Sequence, residues 1–139
     1  MSNIRLEFDV QASVDAVYTA LTQESGVKSW WTTDTDLQAS EGSDARFGFG
    51  SQGEFKMKVS KLNKNQHVKW DVIQAAPDWV DTYVTFDLEA NGDGTKIHFA
   101  HSNFATEDGS FASVTFNWAY FMMSLKAYLE TGEGTPVPA

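Results

Sequence analysis

The sequence predicts an α+β domain, a strongly curved antiparallel sheet of about six or seven strands wrapped around a long C-terminal helix, with two short helices between the first strand and the second. Three observations predict it. Segment after segment between residues 4 and 102 alternates apolar with polar side chains, the period-two pattern of half-buried strands. From Val114 to Gly132 the spacing changes to steps of four and three, the core-facing period of a helix. The strands come in one run and the long helix follows it, an order that favours an antiparallel sheet with its helices on one face. The 139 residues suffice for one domain with a real core and are too few for two ordinary ones, so residues 1–139 are expected to form a single domain.

The elements follow in order. Ile4, Leu6, Phe8 and Val10 alternate with Arg5, Glu7 and Asp9 as a first strand. Ser13 is placed to cap a helix running to about Thr22, with Val14, Val17 and Leu21 inward and Asp15 in the favourable first turn. Gly26 breaks that pattern, and a short helical turn is expected from Val27 to Trp31. Strands are expected near Asp36–Ala39, Ala45–Phe49, Gly53–Leu62, Val68–Val72, Thr82–Ala90 and from Ile97 to about Ser102. Asn63-Lys64-Asn65-Gln66 and Asn91-Gly92-Asp93-Gly94 are the turns between them. A polar loop over 103–110 leads to the long helix, and the tail from Gly132, with Gly134, Pro136 and Pro138, is expected to fray.

That long helix has two apolar stripes. Val114, Trp118, Phe121, Leu125 and Tyr128, joined by Met122 and Leu129, form the side that a sheet can grip. Phe116, Tyr120, Met123 and Ala127 form a second stripe roughly half a turn away, at about 100° per residue. Nothing else in the chain is obviously free to cover the second stripe. Phe116, Tyr120 and Met123 are therefore the expected partner surface, for a homodimer or another protein.

Composition narrows the function. The net charge is −9, from 19 acidic and 10 basic residues, a field that repels phosphate backbones and anionic lipid, so nucleic acid is not an expected partner. There is no cysteine, which excludes disulfides, thiolate catalysis and cysteine-based zinc sites. No apolar run is long enough to insert in a membrane, no signal segment is seen, and a cytoplasmic location is the default expectation. Aromatic residues make up 14% of the chain, enough to suggest a bulky core or an aromatic-lined cavity.

No catalytic motif stands out. Gly48-Phe49-Gly50-Ser51-Gln52-Gly53 satisfies G-x-G-x-x-G, but a strand pattern follows where the dinucleotide fingerprint requires a helix, so the glycines are read as a hairpin. Asp34 and Asp36, with Thr33 and Thr35, lack the rest of a calcium-loop spacing and read as a solvated loop. His67 lies beside a turn, in solvent by expectation. His98 and His101 are three apart on an expected strand and so point to opposite faces, where they cannot hold a metal together without a bulge. No metal or cofactor is expected. His101 shares the inward parity of Ile97 and Phe99. Its plain reading is a hydrogen-bonded core histidine; its sharper one is a polar anchor for a ligand or a general acid–base, the one candidate catalytic residue in the chain.

The run Ala12-Ser13-Val14-Asp15-Ala16-Val17-Tyr18-Thr19-Ala20-Leu21-Thr22, the pair Trp30-Trp31, and Trp118 followed by Leu125-Lys126-Ala127-Tyr128-Leu129-Glu130-Thr131-Gly132 carry a resemblance. In these features nearly the whole chain resembles the SRPBCC (START-like, helix-grip) superfamily, in particular the branch similar to the C-terminal domain of the heat-shock-protein ATPase activator. These are signatures of fold, not of catalysis. The resemblance implies an apolar pocket between sheet and C-terminal helix, in which relatives bind lipids, polyketide-like and other hydrophobic molecules and a few catalyse cyclisation or similar reactions. Many bacterial members have no assigned ligand. The chaperone-activating member has a further N-terminal domain not seen in this sequence, so direct ATPase activation is not expected. The candidate pocket residues are Trp30, Trp31, Phe55, Trp70, Phe86, Phe99, His101, Trp118, Phe121 and Met122, with one of the adjacent tryptophans expected inside and the other at the rim. Non-catalytic carriage of a hydrophobic small molecule is the first expectation. An enzyme of polyketide cyclase or hydrolase type using the same pocket is the second, and a chaperone-associated or other interaction module the third.

Overall fold

The computed structural model describes residues 1–138; Ala139, the end of the tail expected to fray, lies outside them. Seven strands form one open antiparallel sheet: β1 (Ser2–Val10), β2 (Asp34–Asp36), β3 (Asp44–Gly48), β4 (Glu54–Asn63), β5 (His67–Gln74), β6 (Tyr83–Asn91) and β7 (Gly94–Phe104), in the order β1-β7-β6-β5-β4-β3-β2. Helices α1 (Val14–Thr22) and α2 (Glu24–Trp30) connect β1 to β2, and α3 (Phe111–Thr131) follows the sheet. Two register shifts between β4 and β5, at Lys56/Met57 and Val59/Lys61, add the local twist that bends a sheet. One face of the sheet carries Met57, Val59, Val68, Trp70, Val84, Phe86, Ile97 and Phe99, all at most 1% exposed, and the helices cover that face. The other face holds charged pairs such as Lys69–Asp71, and His98 set between Glu7 and Glu89.

The α1 start is as its sequence dictates, with Ser13 Oγ accepting from the Ala16 N–H. Helix α2 departs from expectation. It begins at Glu24 and runs through Gly26 without a break. Gly26 serves packing there: a Cβ on it would lie 2.6 Å from the Ala20 carbonyl oxygen, so only glycine lets α2 sit this close to α1. Trp30 and Trp31 are both buried, against the expectation of one inside and one at the rim. Helix α2 ends at Trp30 and the chain turns at Trp31, so both indoles lie inside, nearly parallel with centroids 6.0 Å apart.

Three more local expectations need correction. The first edge strand is Asp34–Asp36, not 36–39, and Asp34 and Asp36 are not a solvated loop. Arg46 on β3 draws them in: its guanidinium bonds Asp34, Asp36 and Glu54 together. His67 is half-buried rather than solvated, with Nδ1 2.6 Å from Asp87. The tail is tied down through Val137. The Val137 N–H donates to the Trp31 carbonyl (2.9 Å), and its carbonyl accepts from Thr33 (3.0 Å). Upstream, the Thr135 N–H donates to the hydroxyl of buried Ser124 (2.8 Å), which itself donates to the Trp30 carbonyl (2.8 Å). Gly134 permits this path, since a Cβ on it would lie 2.5 Å from the Ser29 carbonyl oxygen.

The fold leaves α3 with three sectors. Val114, Trp118, Met122, Ser124 and Leu125 are buried, Phe121 and Tyr128 are half-buried, and Phe116, Tyr120 and Met123 are exposed.

Candidate functional site

A cleft of about 610 Å³ opens between α3 and the loops at one end of the sheet. Helix α3 contributes Val114, Asn117, Trp118, Tyr120 and Phe121, with Ser110 just before it. The opposite wall is Phe49, Gln52 and Phe55, from the turn between β3 and β4, and Ala76 and Trp79, from the connection between β5 and β6. Trp31 and Val137 complete the lining. None of these side chains is charged. The polar side-chain groups in the lining are those of Gln52, Ser110 and Asn117, the Tyr120 hydroxyl and the tryptophan indole N–H groups.

Local chemistry explains the walls. The β3–β4 turn requires left-handed backbone at Gly50 (φ +59°) and Gly53 (φ +96°), so two glycines of the G-x-G-x-x-G run serve a tight turn that presents Phe49 and Gln52 to the cleft. On the β5–β6 side, Asp78 reaches the start of α3. Its Oδ2 accepts from the Ser110 N–H (2.7 Å) and from the Ser110 hydroxyl. These bonds hold the Asp78 carboxyl below the ordinary carboxylate range. The Ser110 side chain makes no cap of its own, so a carboxylate 32 residues away fills that role at the positive end of the helix.

Behind Trp118 lies a closed hydrogen-bond chain. The Trp118 indole Nε1–H, which can only donate, bonds to His101 Nδ1 at 3.0 Å. The proton of a neutral imidazole must then sit on Nε2, which donates to Thr82 Oγ1 at 2.8 Å. The Thr82 hydroxyl donates in turn to the Trp79 carbonyl at 2.6 Å. His101 is fully buried, and that burial drives its pKa down to about 3. Both ring nitrogens are occupied by core partners. The residue fixes the Trp118 indole by a direct bond and packs edge-on against the Trp79 ring, with centroids 4.5 Å apart; those two indoles lie side by side, 6.4 Å between centroids.

Of the expected pocket residues, the structure brings Trp31, Phe55, Trp118 and Phe121 to the cleft. Trp30, Trp70, Phe86, Phe99, His101 and Met122 lie behind them in the core. Trp31 joins the two groups: its ring stacks on Trp70 (6.0 Å, 6°) and lies 5.0 Å from Trp118 and 4.5 Å from Phe47. Tyr120, expected on the partner surface, also lines the cleft. Sequence reasoning placed Val114 on the gripped stripe without assigning it to the pocket, and missed Phe49, Gln52, Ala76, Trp79, Ser110, Asn117 and Val137 as lining residues. The Gly-rich hairpin was a signal for the first two; the others lie where periodicity is silent or, for Asn117, between the two stripes of α3.

Among the described residues, no group of three or more His, Cys, Asp or Glu side chains is placed to hold a metal, and no helix is long and apolar enough to cross a membrane.

A curved antiparallel sheet gripping one long helix, with an aromatic cleft at the open end, defines an SRPBCC-type helix-grip domain. The chain belongs to the activator of Hsp90 ATPase homolog 1-like protein family, whose model matches residues 11–130. Its fold is similar to the solution structure of the Aha1 dimer from Colwellia psychrerythraea, with a TM-score of 0.88 and 37% identity over 96% of this chain and 100% of that one. The protein SSP2350 from Staphylococcus saprophyticus superimposes with a TM-score of 0.80 at 18% identity, over 96% of each chain. CalU16 from Micromonospora echinospora does so with a TM-score of 0.76 at 18% identity, over 96% of this chain and 76% of that one. These last two likenesses are of fold alone. No curated protein matches the chain.

Proposed function

We propose that the chain binds a neutral, largely apolar, ring-bearing small molecule in the cleft and carries or senses it without transforming it. The observation that carries this reading is the lining: seven of its residues are aromatic (Trp31, Phe49, Phe55, Trp79, Trp118, Tyr120 and Phe121) and none is charged. A volume of about 610 Å³ lies inside the roughly 300–1,000 Å³ range of small-molecule sites. A carboxylate or ammonium group on the ligand would lose its hydration there without gaining a counter-ion. The cyclase or hydrolase alternative rested on His101. That imidazole is separated from the cleft by Trp118 and has no free nitrogen to move a proton.

The test is titration with the neutral fluorescent probe N-phenyl-1-naphthylamine. Wild type should bind it with an emission increase. Ala76→Trp, which fills the cleft from an exposed rim position, should weaken binding about tenfold or more while leaving the unfolding midpoint almost unmoved. Equal affinity in the two proteins, or no binding by wild type, refutes the reading.

A second reading is favoured by a separate observation. Phe116 (75% exposed), Tyr120 (52%) and Met123 (61%) form an uncovered apolar stripe, and the relative at 37% identity is described as a dimer. We infer that this chain also pairs with itself through α3. Sedimentation of wild type against Phe116→Glu decides it: a wild type that stays monomeric removes the reading.

A further inference from the structure

The cleft and the stripe meet at Tyr120, which lines the one and belongs to the other. We propose that a second copy of this chain docks on the Phe116–Tyr120–Met123 face and extends across the mouth of the cleft, so that filling the cleft and pairing the chains favour each other. The proposal rests on the small-molecule reading for the cleft and adds what closes it.

Charge argues for a second copy as the occupant. With a net charge of −9, two chains repel across most pairs of faces. From Gly109 to Leu125, however, there is no Asp, Glu, Lys or Arg, so the exposed stripe is carried on an uncharged stretch. Two such faces can meet about a two-fold axis without bringing acid against acid.

Area argues that the contact reaches the mouth. A large aromatic side chain buries about 150–250 Å², so the three stripe residues, at their observed exposures, offer on the order of 400 Å² per copy. Two copies supply about 800 Å², short of the roughly 1,200–2,000 Å² of a stable specific interface. The missing area has a candidate source. Of the other exposed large apolar side chains, Val80 (55% exposed) lies on the connection that carries Ala76 and Trp79, the wall facing α3. A partner that touches both α3 and this segment lies over the opening between them. A ligand held under it loses its exposed edge, and by linkage it strengthens pairing by the factor by which pairing strengthens its binding.

The test uses the full chain in three forms: wild type, Phe116→Glu and Val80→Glu. Neither substituted residue lines the cleft. In sedimentation at up to about 100 µM, wild type should pair, and both variants should pair more weakly. N-phenyl-1-naphthylamine should bind each variant about tenfold more weakly than wild type, and dilution of wild type should produce the same loss. Amide exchange over residues 50–53 and 77–80, on the cleft's far wall, should slow in the wild-type pair and not in the variants. A wild type that stays monomeric overturns the proposal. So does a pair that Phe116→Glu breaks and Val80→Glu leaves intact, with probe affinity and exchange unchanged, because such a pair uses the stripe and leaves the mouth open. If wild type pairs and protects residues 50–53 but binds no probe, the small-molecule reading fails and the closure of the mouth stands.

Discussion

Replacing His101 by Leu should change how stability depends on pH more than it changes stability itself. At neutral pH the variant leaves the buried Trp118 indole N–H without an acceptor, a cost of about 1–3 kcal/mol. Thr82 keeps its bond to the Trp79 carbonyl, so its share is small. Wild type, however, carries a pH-dependent liability that Leu lacks. The folded imidazole has a pKa of about 3 against an ordinary value of 6.5, because burial disfavours the cation. Between those values the unfolded chain binds a proton that the folded chain refuses. Stability is therefore complete above pH 6.5, falls as pH falls below it, and levels off only below about pH 3. The slope approaches about 1.4 kcal/mol per pH unit, or roughly 3 kcal/mol lost by pH 4.5. A wild-type advantage of about 2 kcal/mol at pH 7.5 should shrink steadily, and the two stability curves should meet near pH 5. Urea unfolding followed by tryptophan emission at several pH values measures both curves. Parallel curves between pH 6.5 and 4.5 would falsify the buried neutral imidazole. An NMR spectrum of the folded protein showing His101 protonated on Nδ1 would contradict the assignment of Trp118 as its donor.

Three further outcomes follow from local geometry. Asp78→Ala removes both bonds to Ser110 at the start of α3 and should cost about 1–2 kcal/mol, seen as a lower urea midpoint; an unchanged midpoint would show that the remote cap is dispensable. Gly26→Ala should destabilise by about 1–3 kcal/mol, although alanine is the better helix former by about 1 kcal/mol, because its Cβ meets the Ala20 carbonyl oxygen at 2.6 Å; a stabilised variant would mean that α1 and α2 separate freely. Ser124→Ala leaves the Trp30 carbonyl and the Thr135 N–H without their shared partner, so amide exchange at Thr135 and Val137 should accelerate, and unaltered protection there would show that the tail is held by its bonds to Trp31 and Thr33 alone.

The long strands were legible because they have one wet face and one dry face, and parity alone placed Ile97, Phe99 and His101 on the dry one. Helix α3 was legible for the same kind of reason, and its exposed second stripe could be read directly from the spacing of Phe116, Tyr120 and Met123. What escaped depends on contacts distant in sequence. The strand at Asp34–Asp36 pairs with β3 and sets Asp34 and Asp36 beside Arg46, which also bonds Glu54, a grouping no local pattern announces. Glycine at 26 looks like a helix breaker until the neighbouring helix is seen 2.6 Å from its missing Cβ. The cleft divides in the same way: its helical wall was foreseeable, whereas Ala76, Trp79 and Val137 come from segments without periodicity.

The cleft exists because α3 is fixed at its ends and propped in its middle. Asp78 ties its first residues to the β5–β6 connection. Near its other end Lys126 donates to the Asp9 carbonyl (2.7 Å) and Glu130 accepts from the Gln11 N–H (2.8 Å), which anchors the helix on β1. Between these ties Trp118 stands against Phe99 (4.7 Å between centroids), with its indole locked by His101. A smaller side chain at 118 would let the helix settle toward the sheet, as ordinary helix–sheet packing does. The indole holds it off, and the loops beyond β3 and β5 do not fill the resulting gap. A buried histidine with no free valence is what such a prop requires. It must accept from Trp118 and donate to Thr82 at once, and of the neutral apolar-sized side chains only an uncharged imidazole offers an acceptor and a donor on opposite sides of one rigid ring.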